Sequence, residues 1–229
     1  MLGALRHRQP GSAWYRVAWW TLCATTLYSW FMLCYRMRIW GSGHLPSRGP
    51  VLLVGNHQSY MDPMLLAAAC HRRQFYSMAR DSLWAKGWLA FLLNSVNSMP
   101  VRRVEGGMGD MAAMRGFIQK LGEGQALLVY PEGTRSEDGE VAEFSPGLML
   151  LIKRAKPVVV PVAVEGPFDV WPKGRGLPKL KGQIGVSLGE PIAAERLIPM
   201  GAEGALGFLR ERVVAEQAEM RERFERWRV

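Results

Sequence analysis

Cysteine is scarce. The 229-residue chain holds three, Cys23, Cys34 and Cys70. The number is odd, no spacing fits a zinc site, and two of the three fall in an apolar stretch, so the chain has no disulfide framework and suits a reducing compartment. Histidine is almost as rare, with four copies, and no His/Cys/Glu cluster has the ligand spacing of a catalytic metal. A Gly-x-Ser-x-Gly elbow is absent, which argues against Ser59 as a covalent nucleophile. Gly106-Gly107-Met108-Gly109 lacks the spacing of a dinucleotide fingerprint and reads as a loop entering a helix. Low-complexity tracts and internal repeats are missing too, and a chain of this length is most simply one domain.

Positive charge is abundant: the net charge is +9 and the pI about 9.8. The favoured partners are therefore anionic, whether nucleic acid, an acidic bilayer or phosphorylated metabolites. From Val17 to Tyr35 there is no charged residue. Such a stretch spans roughly 28 Å as a helix, close to a hydrocarbon core of about 30 Å. Two features oppose a simple span. Thr21, Thr25 and Ser29 put a polar stripe on one helical face, and arginines flank both ends (Arg6, Arg8 and Arg16; Arg36 and Arg38) where the positive-inside rule expects asymmetry. Five of the nine tryptophans lie in the first 40 residues, and tryptophan favours the headgroup level. Residues 13–38 thus read as an interfacial or re-entrant helical anchor.

Beyond Pro50 the pattern alternates strand and helix. Strands are expected at Val51–Gly55, Phe75–Met78, Ala126–Tyr130, Val158–Val164 and Ile184–Leu188, and helices at Asp62–His71, Leu83–Val96, Met108–Leu121 and Leu148–Arg154. Short Val/Leu runs between helices predict an α/β fold, a mostly parallel mixed sheet flanked by helices. Glu165–Gly182, rich in Pro, Gly and Lys, reads as an exposed loop. A final helix over about 203–228 carries apolar residues from Ala205 to Trp227 and the pairs Arg212–Glu216, Glu219–Arg223 and Glu222–Arg226. The division is an anchor over 1–40, an α/β domain over 41–200 and a C-terminal amphipathic helix over 201–229.

Asn56 and His57 follow an apolar strand directly, and Asp62-Pro63 opens a helix, with Asp as N-cap. His57 therefore sits at the carboxyl edge of the sheet, where open α/β folds bind ligands. The Asp62 carboxylate can fold back on one imidazole nitrogen and leave the other as a general base. The loop Pro131-Glu132-Gly133-Thr134-Arg135-Ser136 forms an anion cradle. Gly133 permits the turn, Thr134 and Ser136 offer hydroxyls, Arg135 a planar fork, and Glu132 a carboxylate to hold an arginine or a ligand hydroxyl. Arg102 and Arg103 add cations at the sheet's edge.

At these residues the sequence resembles the glycerophospholipid acyltransferases, specifically the PlsC-type 1-acylglycerol-3-phosphate acyltransferases, over about residues 40–192. Asn56, His57 and Asp62 match the first family motif, and Arg103 in Pro100-Val101-Arg102-Arg103 the second. Tyr130 to Ser136 match the third, and Val158 to Ala163, with Pro161, the fourth. Tyr130 stands where the family has Phe, and Ser145-Pro146 where it often has a basic residue.

The resemblance implies that His57, oriented by Asp62, deprotonates a lysophospholipid hydroxyl that attacks an acyl-CoA or acyl carrier protein thioester. Arg103, Glu132, Gly133, Thr134 and Arg135 would bind the acceptor's phosphate or glycerol, and Pro161 belongs to the acyl-donor motif. It implies no metal and no cofactor beyond the acyl donor, and partners among anionic lipids at the cytoplasmic face of the cell's inner membrane rather than nucleic acid. Other acceptors with the same chemistry are a lyso-ornithine lipid, another lysophospholipid or glycerol phosphate. A basic nucleic-acid-binding module and a catalytically inactive membrane scaffold are the readings from other classes.

Overall fold

The computed structural model describes residues 9–71, 73–102 and 110–227. Helix α1 (Trp14–Tyr35) runs unbroken and turns through Arg36, left-handed at φ 49°, into the edge strand β1 (Arg38–Trp40). A re-entrant break is therefore absent from α1, and the sheet begins at residue 38. Alternating elements follow: β2 (Val51–Gly55), α2 (Asp62–Ala69), β3 (Phe75–Arg80), α3 (Gly87–Ser95), β4 (Ser98–Val101), α4 (Met111–Gly122), β5 (Ala126–Val129), α5 (Gly147–Ala155) and β6 (Val158–Glu165). The chain ends through α6 (Pro167–Val170), β7 (Gly185–Leu188), β8 (Ile192–Ala193), α7 (Ala194–Leu197) and the long α8 (Gly201–Arg226).

The sheet order is β1-β7-β6-β2-β5-β3-β4, with β8 also pairing β6. All pairs are parallel except those of β6 with β7 and β8. The α/β fold, with a mostly parallel mixed sheet flanked by helices, is thus the one expected. In register, Val54 lies between Val129 and Pro161, so β2 and β5 end side by side against β6, which runs on to Glu165, and the loops leaving β2 and β5 meet at one edge.

Every residue of β2 and β5 is buried, the reason their sequences run apolar without alternation. Leu52, Val54, Leu127 and Val129 face Phe117, Leu148 and Leu209 of α4, α5 and α8. Leu53, Leu128, Val160 and Val162 face Phe31 and Leu65 of α1 and α2. One core therefore lies on each side of the sheet.

Some local expectations are revised. The helix expected over 83–96 is a 3-10 turn (Asp81–Ala85) and then α3, separated by extended Lys86 before Gly87. Asp110 caps α4, its carboxylate accepting the Ala113 N–H at 2.8 Å, while residue 108, where this helix was expected to start, and the loop over 106–109 lie outside the described residues. β4 contains Pro100 and lies at the sheet edge, where a missing N–H costs no ladder bond. On α8, Glu216 takes the Ser187 hydroxyl and Arg212 lies over Phe208, whereas Glu219–Arg223 and Glu222–Arg226 pair as expected. In α1 each hydroxyl of the stripe donates to the carbonyl four residues back, Thr21 to Val17, Thr25 to Thr21 and Ser29 to Thr25. The stripe needs no water, so it is no argument against lipid contact.

Candidate active site

Asn56 closes a two-way pair with Val164 on β6: Nδ2 donates to the carbonyl at 3.0 Å and Oδ1 accepts the N–H at 2.8 Å. The side chain is buried but satisfied, and it pins the loop that carries His57. His57 Nδ1 lies 2.7 Å from Asp62 Oδ2. That same oxygen accepts the backbone N–H groups of Gln58 at 2.6 Å and Ser59 at 2.8 Å. An oxygen serving as acceptor to two N–H groups directs the imidazole to present a third, so Nδ1 carries the proton and Nε2 the lone pair. Asp62 is the first residue of α2 rather than its cap. Met61 precedes it with helical backbone, and the carboxylate points back into the loop. Ser59 is fully buried and donates its hydroxyl to the Trp171 carbonyl at 2.7 Å, so it is not placed as a nucleophile.

Tyr130 stacks on His57, ring centroids 4.1 Å apart and planes 11° from parallel. Its buried hydroxyl has no partner among the described residues, nor has Asp62 Oδ1, and burial pushes the phenol pKa well up. Glu132 was expected to hold an arginine or a ligand hydroxyl. Instead Oε1 accepts the His57 N–H at 2.8 Å and Oε2 the Ala142 N–H at 3.2 Å. Burial outweighs these two hydrogen bonds and raises the Glu132 pKa to about 7. Glu132 thus braces the backbone of the base.

Gly133 makes the turn at φ 70°, a conformation that favours glycine, and half-buried Thr134 follows. Arg135 lays its guanidinium over Tyr60, Cζ 3.5 Å from the ring centroid. Among the described residues it has no carboxylate partner, and its buried Nη1 bonds to nothing. Ser136 donates its N–H to the His57 carbonyl at 2.7 Å, which sets Arg135 beside the base. The Ser136 hydroxyl closes a turn on Asp138 at 2.8 Å and is not free for a ligand. Arg102 is exposed and 3.7 Å from Asp81, while Arg103 lies outside the described residues. Pro161 sits mid-strand on β6, its carbonyl accepting the Gly189 N–H at 2.8 Å. It borders a cavity of about 380 Å³ with His44, Arg196 and Arg212 that shares no residue with the His57 loop.

One group was not foreseen. The Gly139 carbonyl accepts from Gln58 at 2.8 Å, Gln217 at 2.9 Å and Arg221 at 3.3 Å. Glu165 Oε2 gathers Gln217 at 2.7 Å, Arg221 at 3.2 Å and Gln58 at 3.3 Å. Through these contacts α8 grips the segment that Glu132 holds. The available signal was Gln217 itself, a glutamine on the apolar stripe of α8 between Val213 and Met220.

A family model for acyltransferases matches residues 36–165. The chain is 30% identical over 218 residues to a lyso-ornithine lipid O-acyltransferase of Pseudomonas aeruginosa, covering 85% of this chain and 78% of that one. It is 24% identical over 159 residues to the chloroplast 1-acyl-sn-glycerol-3-phosphate acyltransferase LPAT1 of Arabidopsis thaliana, covering 69% of this chain. The chain spans only 44% of that plant protein's length. In fold it is similar to the crystal structure of the 1-acyl-sn-glycerophosphate acyltransferase PlsC of Thermotoga maritima, with a TM-score of 0.75 at 24% identity, covering 88% of this chain and 78% of that one. The chain belongs to the glycerophospholipid acyltransferase family.

Proposed function

We propose that the chain moves an acyl group from acyl-CoA or acyl carrier protein to the free hydroxyl of 1-acylglycerol 3-phosphate, yielding phosphatidic acid in phospholipid synthesis. The observation that carries this reading is the His57–Asp62 pair at 2.7 Å beside an Arg135 that lacks a carboxylate partner among the described residues. Nε2 takes the hydroxyl proton as the oxygen attacks the thioester carbonyl. The C–S bond then breaks, and the proton passes from the imidazolium to the leaving thiolate. Asp62 steadies the imidazolium. Arg135 binds the acceptor's phosphate, with Arg103 in the same role, while Gly133 and Thr134 shape that side. Glu132 holds the His57 backbone, and Pro161 belongs to the acyl-donor side. No metal or cofactor takes part in this scheme.

The acceptor, a lysolipid, resides in the bilayer. Helix α1 has the length and composition to cross a membrane. Val17, Trp20, Ala24, Phe31 and Tyr35 nevertheless pack it onto the domain along its length. We infer that it lies in the interface with its outer face in lipid, on the cytoplasmic leaflet of the inner membrane. A second acceptor reading, a lyso-ornithine lipid, is favoured by the Pseudomonas relative, which matches over more of its length and at higher identity than LPAT1.

The test is turnover of labelled acyl-CoA with each acceptor in mixed micelles. Phosphatidic acid formation supports the first reading. Ornithine-lipid formation alone moves the acceptor and keeps the chemistry. Turnover of neither, in folded protein with both acyl donors, refutes both.

A further inference from the structure

Between Trp171 and Gly182 the chain reads Trp-Pro-Lys-Gly-Arg-Gly-Leu-Pro-Lys-Leu-Lys-Gly: four cations, two leucines and no acid. Leu177 and Leu180 are 79% and 81% exposed, more than any other large apolar side chain among the described residues except Leu33 at 84%. Lys173 pairs with Glu137 at 2.6 Å, while Arg175, Lys179 and Lys181 have no ion pair among the described residues. Single exposed leucines are ordinary. Two within four residues, set among cations, form the pattern of an apolar tip with a basic collar, the chemistry of a lipid interface.

The loop is tied at both ends. The Tyr35 hydroxyl at the end of α1 donates to the Lys179 carbonyl at 2.9 Å. Leu33, Cys34 and Arg36 share a cavity with Lys181, Gly182 and Gln183. At the other end the Trp171 carbonyl accepts the Ser59 hydroxyl at 2.7 Å, and its ring lies 5.3 Å from that of Tyr60, which supports Arg135. One end therefore continues the exposed apolar face of α1, and the other touches the loop of the base.

We propose that residues 172–181 form a second membrane contact, with Leu177 and Leu180 entering the headgroup–acyl boundary of an anionic leaflet. Arg175, Lys179 and Lys181 bind its phosphates. The occupant is the bilayer: the basic collar complements anionic headgroups, long cationic side chains reach them while their stems stay in apolar surroundings, and the Leu33 edge of α1 is adjacent. The contact sets the Tyr60–Arg135 side of the site against the leaflet that holds the acceptor. The proposal rests on the interfacial reading of α1 and deepens it.

The test uses the full chain with Cys23 and Cys34 replaced by Ala and Leu180→Cys carrying an environment-sensitive fluorophore. It is mixed with phosphatidylcholine vesicles with or without phosphatidylglycerol. The expected result is a blue-shifted emission, quenched by lipids spin-labelled near the headgroup, on the anionic vesicles. In the parent chain, Arg175→Gln/Lys179→Gln/Lys181→Gln should weaken partitioning onto those vesicles on the order of tenfold or more without changing turnover of a water-soluble short-chain acceptor. An unshifted, unquenched probe overturns the proposal, as does a probe that responds to acyl carrier protein and not to vesicles. Failure of every acceptor with the probe response intact would sink the acyl-transfer reading and leave the membrane contact standing.

Discussion

At the end of β2 four polar side chains, Asn56, Gln58, Ser59 and Asp62, are each 1% exposed or less, whereas along α1 Trp14, Tyr15, Leu22 and Leu33 are 55% to 84% exposed. Both regions invert the usual placement of residues, and for different reasons. The polar side chains are stable inside because the chain itself provides partners: Val164 for Asn56, the loop N–H groups for Asp62, Trp171 for Ser59. The apolar side chains outside are left largely uncovered by the described residues. An inverted region whose polar groups are mostly held by its own chain is built for geometry, and one left uncovered is built for a partner.

Changing residues in each region sharpens the contrast. Asp62→Asn keeps the size of a buried side chain and an acceptor oxygen but removes the negative charge that steadies the imidazolium, and should lower turnover on the order of 10³-fold, the scale of a general base, read as kcat at saturating acceptor. Phe117→Ala, in the core between sheet and α4, should cost about 3–5 kcal/mol of stability, measured by denaturant titration, with kcat per folded molecule unchanged. Trp88→Ser with Phe91→Ser, on the exposed face of α3, should leave stability within about 0.5 kcal/mol and weaken vesicle partitioning roughly tenfold or more. A large loss of stability there would show that this face packs on protein rather than lipid.

The smallest effect concerns pH. Because burial raises Glu132 to about 7 from its ordinary 4.5, the folded chain binds a proton there that the unfolded chain releases. This contribution to stability is fully present below about pH 4.5 and is lost as pH rises through about 7. Glu132→Gln should flatten the fall in melting temperature across that window. An unchanged slope would show that Glu132 ionises normally in the folded chain.

The same contrast explains what the sequence disclosed. The His57–Asp62 contact and the turn at Gly133 were legible because each depends on neighbours within a few residues of one loop. The strands β2, β5 and β6 were legible because burial on both faces leaves uninterrupted apolar runs. Hidden were β4, masked by Pro100, and the 2–3-residue strands β1 and β8, too short to show a period. The part played by Glu132 was also hidden, because an acceptor of backbone N–H groups looks in sequence like one offered to a ligand. Gln217 and Arg221 meet Gly139 and Glu165 only after folding brings α8 across the domain. The Ser/Thr stripe of α1 reads as polar by residue, whereas in the fold its hydroxyls are already bonded to their own helix.

The most direct test is acyl transfer from labelled acyl-CoA to 1-acylglycerol 3-phosphate, comparing the parent chain with His57→Ala. The two should share melting temperature and vesicle partitioning while the variant loses on the order of 10³-fold or more in rate. A His57→Ala protein that folds, binds vesicles and transfers acyl groups at the parent rate would contradict the account.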